Sequence, residues 1–467
     1  MKTAKFQQET IKLAHLSPEL LQLNFERGKK GLLSCPVCGD QVRLYIGIAK
    51  EPHFYHSQTD KPACQSSELA AVSSAKKEEA YIERGGFRLP ASRSITATTE
   101  SFSFKPSRSI SGNPPFLPVA PKRNDSLHPF LTALEQSGVT LDDEQREAVV
   151  NTEGPLLVLS GAGSGKTRVL TARTAYLMRA MNIPPSQILL VTFTAKAAKE
   201  MKERMLSYPG ITAADVLALV AGTFHSIFYK ILLFHERERW QNNALIKYDW
   251  EKENMLKMAG RERGLDDKEF AYDVAIQQIG LWKNSLLFPQ DIKPQDEWEE
   301  DCRYLYTKYE ASKNAAGKFD FDDMLIGCYH FFTENPDILE KYQKRFSHIL
   351  IDEFQDINKV QYKLMKMLSK LNRNICVVGD DDQSIYAFRG SDPSFILDFE
   401  KDFPEAKVIR LSQNYRSSHQ IVATANRMIS KNERRKEKTM IAQHNDGEAP
   451  IMFYPYDEEQ EATMVVT

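Results

Sequence analysis

Five short apolar runs, each stopping abruptly at polar residues, set the hydropathy pattern of the chain: Leu156 to Ser160, Ile188 to Thr194, His348 to Asp352, Ile375 to Asp380 and Val408 to Gln413. Continuous apolar runs of this length, bounded by turn residues, predict strands buried on both faces. Helical periodicity fills the intervals, with Asp142 to Val149 before the first run, an amphipathic helix over Val169 to Met181 after it, and an Ala- and Lys-rich helix after the second. Repeated strand and helix units predict an α/β fold with a parallel sheet and helices on both faces. Ligands in such sheets sit at the carboxyl ends of the strands, so the polar residues that end the runs are candidate site residues as a group. From Phe228 to Ala316 the period is helical throughout, with Trp240, Trp250, Trp282, Trp298 and many charges, which predicts a helical insertion.

The first run breaks into Gly161, Ala162, Gly163, Ser164, Gly165, Lys166, Thr167 and Arg168 ahead of a helix. Strand, glycine-rich loop and helix in this order predict a phosphate cradle, because the loop turns its amide N–H groups inward and the helix presents its positive end. Lys166 is placed to reach the β- and γ-phosphates of a nucleotide and Thr167 to offer its hydroxyl to Mg²⁺. Ser160 stands where the strict pattern has glycine. Asp352 and Glu353 end the third run, the first suited to hold Mg²⁺ through its water shell and the second to orient the attacking water. Gln383 is a candidate reader of the γ-phosphate. Tyr415 offers a ring to stack on a base, and Arg416 a permanent cation for charge developing in the transition state. Phe193, Phe224, His225, Tyr386 and Phe388 lie in polar breaks, with Thr194 and Arg389 beside them, and aromatic platforms with adjacent cations suit single-stranded nucleic acid.

The N-terminal region carries Cys35-Pro-Val-Cys38, His53-Phe-Tyr-His56 and Cys64, with a strand-like alternation over Gln41 to Ile48. These five residues compete for four tetrahedral positions on Zn²⁺, with Cys35, Cys38, His53 and His56 favoured and Cys64 as a substitute. A segment this short has little core, so metal would also fold it. About residues 30 to 85 resemble the zinc-ribbon-like start of CoiA-type competence proteins, which implies contact with DNA or with a protein partner. Ala91 to Asn124 is rich in Ser, Thr, Pro and Arg and reads as a linker. Cys302, Cys328 and Cys376 lie apart in apolar surroundings and read as buried thiols.

At 467 residues, with 42% hydrophobic and 27% charged side chains, the chain has room for several ordinary globular domains. No apolar run approaches a membrane span and no secretory leader is legible, which predicts a cytoplasmic protein with no membrane association. The net charge of −2 divides into +7 over residues 1–124 and −9 over the remainder. A basic arm on an acidic body is compatible with a polyanionic partner.

Leu141-Asp-Asp-Glu-Gln-Arg-Glu-Ala-Val, Gly161 to Arg168, Thr192-Phe-Thr-Ala-Lys-Ala-Ala, Gly222-Thr-Phe-His-Ser, Phe319-Asp-Phe-Asp-Asp-Met-Leu, Ile351-Asp-Glu-Phe-Gln-Asp, Val378-Gly-Asp-Asp-Asp-Gln-Ser-Ile-Tyr-Ala-Phe-Arg-Gly and Gln413-Asn-Tyr-Arg-Ser-Ser follow one another in order. They resemble the ordered motifs of the UvrD/Rep superfamily 1 DNA helicases through motif IV, over about residues 125 to 430. The resemblance implies a RecA-like P-loop ATPase that moves 3′ to 5′ on single-stranded DNA and at single-strand/duplex junctions. It implies Gln145 on the adenine with Arg168 and Tyr415 around it, Lys166 and Thr167 on phosphate and Mg²⁺, and Asp352 and Glu353 as catalytic acids. It further implies Gln383 and Arg416 as γ-phosphate sensors, and Phe193, Tyr386 and Phe388 against bases. Phe388 stands where the family usually has tryptophan.

The domain organisation expected from these readings is a zinc-ribbon-like segment at 1–90, a linker at 91–124, a first RecA-like domain at 125–226 and 317–416, a helical insertion at 227–316, and the start of a second RecA-like domain at 417–467. Family members continue with motifs V and VI, and the chain stops at Thr467. A truncated helicase is therefore one expectation; a non-translocating, ATP-responsive DNA-binding module is the other.

Overall fold

The computed structural model describes residues 128–445, 447–450 and 457–466, and in the N-terminal region discontinuous stretches between 3 and 56 together with 81–84 and 87–90. The chain divides into two compact units, Met1–Ser103 and Phe104–Thr467. The expected linker and Cys64 lie outside the described residues.

In the first unit β1 (Thr3–Phe6), β2 (Glu9–Lys12) and β3 (Leu33–Ser34) form an antiparallel sheet in the order β2-β1-β3. The alternation over Gln41 to Ile48 appears as β4 (Val42–Gly47), which forms a hairpin with β5 (Lys50–His56), Val42 facing His56 and Tyr45 facing His53. A second hairpin joins β6 (Tyr81–Arg84) to β7 (Phe87–Pro90). The apolar cluster here is small: Ala4, Leu33, Cys35, Val42, Leu44 and Phe54 are its buried members.

The second unit is built on β8 (Leu156–Ser160), β9 (Ile188–Thr192), β10 (Val220–Thr223), β11 (His348–Ile351), β12 (Ile375–Gly379) and β13 (Lys407–Leu411). They form one parallel sheet in the order β10-β9-β11-β12-β8-β13. All five apolar runs are strands of this sheet; β10 carries only half-buried residues at the sheet edge, which is why hydropathy misses it. Successive strand residues face opposite sides. Leu157, Leu159, Leu189, Val191, Ile349, Ile351, Ile375 and Val377 pack into one core, and Leu156, Val158, Ile188, Leu190, Leu350, Cys376 and Val378 into the other. Helices α1 (Asp143–Val150), α2 (Lys166–Arg179) and α3 (Ala195–Met205) contribute to the second core; α4 (Phe224–His235) and later helices contribute to the first.

The inserted helices α5 (Asp249–Glu262), α6 (Tyr272–Asn284) and α7 (Glu297–Ala315) enclose a core of their own that includes Leu256, Trp282, Cys302 and Tyr306. Trp240 instead joins the sheet core, and Trp250 is exposed. The chain returns to the sheet through α8 (Phe321–Glu334). Beyond β13, β14 (Gln413–Ser418) pairs in parallel with β15 (Ile441–His444), the helix α9 (His419–Ile429) crossing between them.

One buried histidine gives the sheet a pH signature. Burial, and then the nearby Arg173 charge, push the His348 imidazole down from 6.5 to about 4. Between those values the unfolded chain binds a proton that the folded chain refuses. The stability His348 contributes is therefore complete above about 6.5 and is lost progressively as pH falls toward about 4. We expect urea midpoints to fall between pH 7 and pH 5 with a smaller slope in His348→Leu than in the wild type.

Candidate active site

Six parallel strands bring their carboxyl ends to one edge, and the sequence motifs meet there. The loop after β8 bends through Gly163 (φ 72°) and Gly165 (φ 86°), a region that side chains with a Cβ rarely enter. Gly165 is the N-cap of α2, so the amides of the loop open onto the positive end of a 14-residue helix. Ser160 does more than fit the turn: its Oγ donates to the Gly379 carbonyl at 3.0 Å, tying β8 to β12 where both reach the site.

Neighbouring motifs brace the loop from outside. Asn414 Nδ2 donates to the Ala162 carbonyl at 2.6 Å, and the Tyr415 amide to the Gly163 carbonyl at 2.9 Å. Gln145 Nε2 donates to the Ser164 carbonyl at 2.8 Å while its Oε1 accepts from the Asp142 amide at 3.3 Å, so this fully buried side chain is engaged as a capping-box residue and loop brace. Tyr415 Oη donates to Asp142 at 2.6 Å and Arg168 to the Thr140 carbonyl at 3.2 Å, which gathers both at the α1 side of the loop. Arg416 is exposed, with its Cβ against Gly163.

Lys166 Nζ lies 3.4 Å from Glu353 Oε2. Asp352 is 7% exposed, and burial, then the Glu353 charge, push its carboxyl up to about 7 despite Lys166. A buried acid beside a half-buried one, next to a phosphate loop, fits a divalent cation, whose charge would relieve both. Glu353 sits at φ 50°, in the left-handed region, and strain of this kind persists where surrounding structure over-determines it. Gln355, which the sequence reading passed over, is that structure: its Nε2 donates to Glu353 at 3.0 Å and its Oε1 accepts from the Asp380 amide at 3.0 Å. Gln383 donates to Asp380 Oδ2.

The aromatic set divides. Phe193 and Tyr386 lie 5.3 Å apart, Tyr386 and Phe388 5.9 Å apart, and the Arg389 guanidinium sits over both of the latter rings. Phe193 and Phe388 are exposed at 39% and 59%, so the row offers faces to solvent beside a cation. Phe224 corrects the expectation: it starts α4, stacks on Phe228 and is buried in the sheet core, so its ring is not open to a base. His225 meets Phe321 edge to face, and burial holds its imidazole below its ordinary range. Thr194 is spent locally as the N-cap of α3.

At the N-terminal unit, the ligand atoms of Cys35, Cys38 and His56 lie within 4.8 Å of one another, with Cys38 Sγ 3.2 Å from His56 Nε2. The side chain of His53 and all of Cys64 fall outside the described residues.

A glycine-rich loop ahead of a helix, a lysine facing paired acids at the next strand ends, and helices on both faces of a parallel sheet define a P-loop nucleotide-binding protein of RecA-like build. The profile of the UvrD/REP helicase N-terminal domain matches residues 141–404, and the chain belongs to this family. The profile of the UvrD-like helicase C-terminal domain matches residues 409–467. A candidate ATP-dependent DNA helicase of Bacillus subtilis (strain 168), YjcD, is 49% identical over 470 residues, covering 100% of this chain and 61% of that protein. The ATP-dependent DNA helicase PcrA of Staphylococcus aureus (strain Mu50 / ATCC 700699) is 40% identical over 329 residues, 70% of this chain and 45% of that protein. The chain thus spans between about half and three fifths of the length of these relatives.

Proposed function

We propose that this protein couples ATP hydrolysis to 3′-to-5′ movement along single-stranded DNA and to opening of single-strand/duplex junctions, in the cytoplasm. The observation that carries the reading is the shared edge of one sheet: the phosphate loop, the Asp352 and Glu353 pair and the Phe193, Tyr386 and Phe388 row all stand at the carboxyl ends of its strands. Lys166 and the loop amides bind the phosphates, Thr167 and Asp352 would hold Mg²⁺, and Glu353 orients water and accepts its proton. Bound Mg²⁺ would neutralise phosphate charge. Gln383 and Arg416 respond to the γ-phosphate, and Tyr415 and Arg168 border the base. In this reading residues 125–226 and 317–416 form the first RecA-like domain, 227–316 its insertion, and 417–467 belong to the second.

The test is strand displacement on duplexes with a 3′ or a 5′ single-stranded tail. ATP-dependent displacement from the 3′-tailed duplex alone is expected. Displacement from the 5′-tailed duplex alone would refute the direction, and ATP and DNA binding without displacement would favour a non-translocating module.

For the N-terminal unit we propose a zinc ribbon with Cys35, Cys38 and His56 as three ligands and His53 or Cys64 as the fourth. It supplies the order that the small apolar cluster cannot, and offers a surface for DNA or a protein partner. We expect one zinc per chain by metal analysis and less than about a tenth of that in Cys38→Ser, in line with the loss of a thiolate ligand. Full zinc content in Cys38→Ser would refute the site.

A further inference from the structure

The run Lys431 to Lys438 carries five basic residues and two acids, a composition usually left in solvent. Here its lysine is buried. The Lys438 side chain is 5% exposed, and its Nζ lies 2.8 Å from Asp380, 2.9 Å from Asp382 and in contact with Asp381. Arg435 makes a two-point bond to Asp382 at 2.9 and 2.7 Å and donates to the Lys438 carbonyl at 3.2 Å, and the Lys436 amide donates to Asp381 at 2.7 Å. Three carboxylates this close would hold a cation, and the cation is Lys438. Two residues on, the Met440 thioether fills the place a Cβ on Gly161 would take, 2.2 Å from it, and the Ile441 amide donates to the Ser412 carbonyl at 2.7 Å. One short segment therefore touches both the Asp380–Gln383 turn and the phosphate loop.

We infer that Lys438, seconded by Arg435, is a positioning residue that lets the Asp380–Gln383 turn exchange between two arrangements and so links the nucleotide site to the aromatic row. The inference rests on the reading of Gln383 as a γ-phosphate sensor under the proposed function. Gln383 Nε2 donates to Asp380 Oδ2 and must leave it to reach a phosphate. The Asp382 amide, 3.2 Å from Asp380 Oδ1, would remain but brings no full charge, and folded proteins avoid a buried carboxylate left without a countercharge. Lys438 keeps Asp380 paired through the exchange.

The backbone of the turn is anchored by Gln355, which holds the Asp380 amide and Glu353 together. Glu353 in turn lies beside Lys166. The polar chain thus runs from the phosphate loop through Glu353, Gln355 and Asp380 to Lys438. Three residues beyond Gln383 the same loop presents Tyr386, and then Phe388.

Spatial continuity alone does not demonstrate coupling, so the test reads coupling itself. The affinity of the 467-residue chain for labelled oligo(dT) is measured with and without a non-hydrolysable ATP analogue, alongside the affinity for that analogue with and without DNA. In the wild type the two ligands should alter each other's affinity by about 5- to 150-fold, the common range for linked sites. In Lys438→Met, and in the charge-balanced Lys438→Met/Asp381→Asn that spares the fold a net carboxylate, this factor should fall to about one. Each ligand's affinity measured alone should change less than about twofold, the mark of lost linkage as opposed to lost sites. Lys438→Arg should restore part of the factor. Full coupling in the double variant overturns the inference, as does a wild type that binds both ligands without coupling. A wild type that binds neither ligand overturns the nucleotide and DNA reading as well.

Discussion

Glu353→Gln should lower DNA-stimulated ATP turnover by roughly 10²- to 10⁴-fold, the contribution of a positioned general base, while nucleotide binding should survive. The substitution keeps shape and removes basicity. Glutamine can still accept the Gln355 amide at the position now 3.0 Å away, so the left-handed backbone at φ 50° keeps its brace. What disappears is the charge that lies 3.4 Å from Lys166 and helps push Asp352 up to about 7. With that charge gone Asp352 ionises more readily, so Mg²⁺ and nucleotide affinity should hold or rise. Steady-state hydrolysis beside fluorescent-nucleotide binding separates the two effects. Turnover within about tenfold of wild type would remove Glu353 from the role of base.

Lys283→Ala should destabilise the second unit by about 3–5 kcal/mol, the cost of breaking a buried ion pair by deleting one partner. Lys283 is 2% exposed and bonds Asp320 at 2.7 Å, Asp323 at 2.7 Å and Glu310 at 3.2 Å. Burial alone would lower its pKa, and the Asp320, Asp323 and Glu310 charges outweigh that and hold it well above the ordinary lysine range. Removing it leaves Lys313 to balance all three acids. Asp320 is also the N-cap of α8, in a reciprocal box with Asp323, and accepts from Tyr309 at 2.9 Å, so the damage reaches the junction of insertion and sheet. The neutral pair Lys283→Met/Asp320→Asn should cost less than the single change, because no charge is stranded. Urea midpoints for the three proteins measure this. A loss below about 1 kcal/mol in Lys283→Ala would show the cluster to be solvated, as surface pairs are.

The sheet was legible because strands buried on both faces leave continuous apolar runs, and β8, β9, β11, β12 and β13 all follow them. The phosphate loop and the acids were legible because their chemistry needs fixed spacings, and Lys166 does face Glu353. Partners far apart in sequence were not. Ser160 with Gly379 spans 219 positions and Asn414 with Ala162 spans 252, and nothing local marks either bond. Nothing local in the sequence marks Lys283, Lys313 and Lys438 as buried, since burial of a lysine depends on acids contributed by other elements. Phe224 was misplaced for a related reason: a residue at a strand end is also the first residue of a helix, and the helix turns this ring inward.

ATP turnover by the 467-residue chain, measured with and without oligo(dT) and beside Lys166→Ala, tests the central claim that one sheet edge joins a working nucleotide site to a DNA platform. Oligo(dT) should stimulate turnover, and Lys166→Ala should abolish the stimulated rate. Turnover that ignores oligo(dT), or that persists in Lys166→Ala, would contradict it.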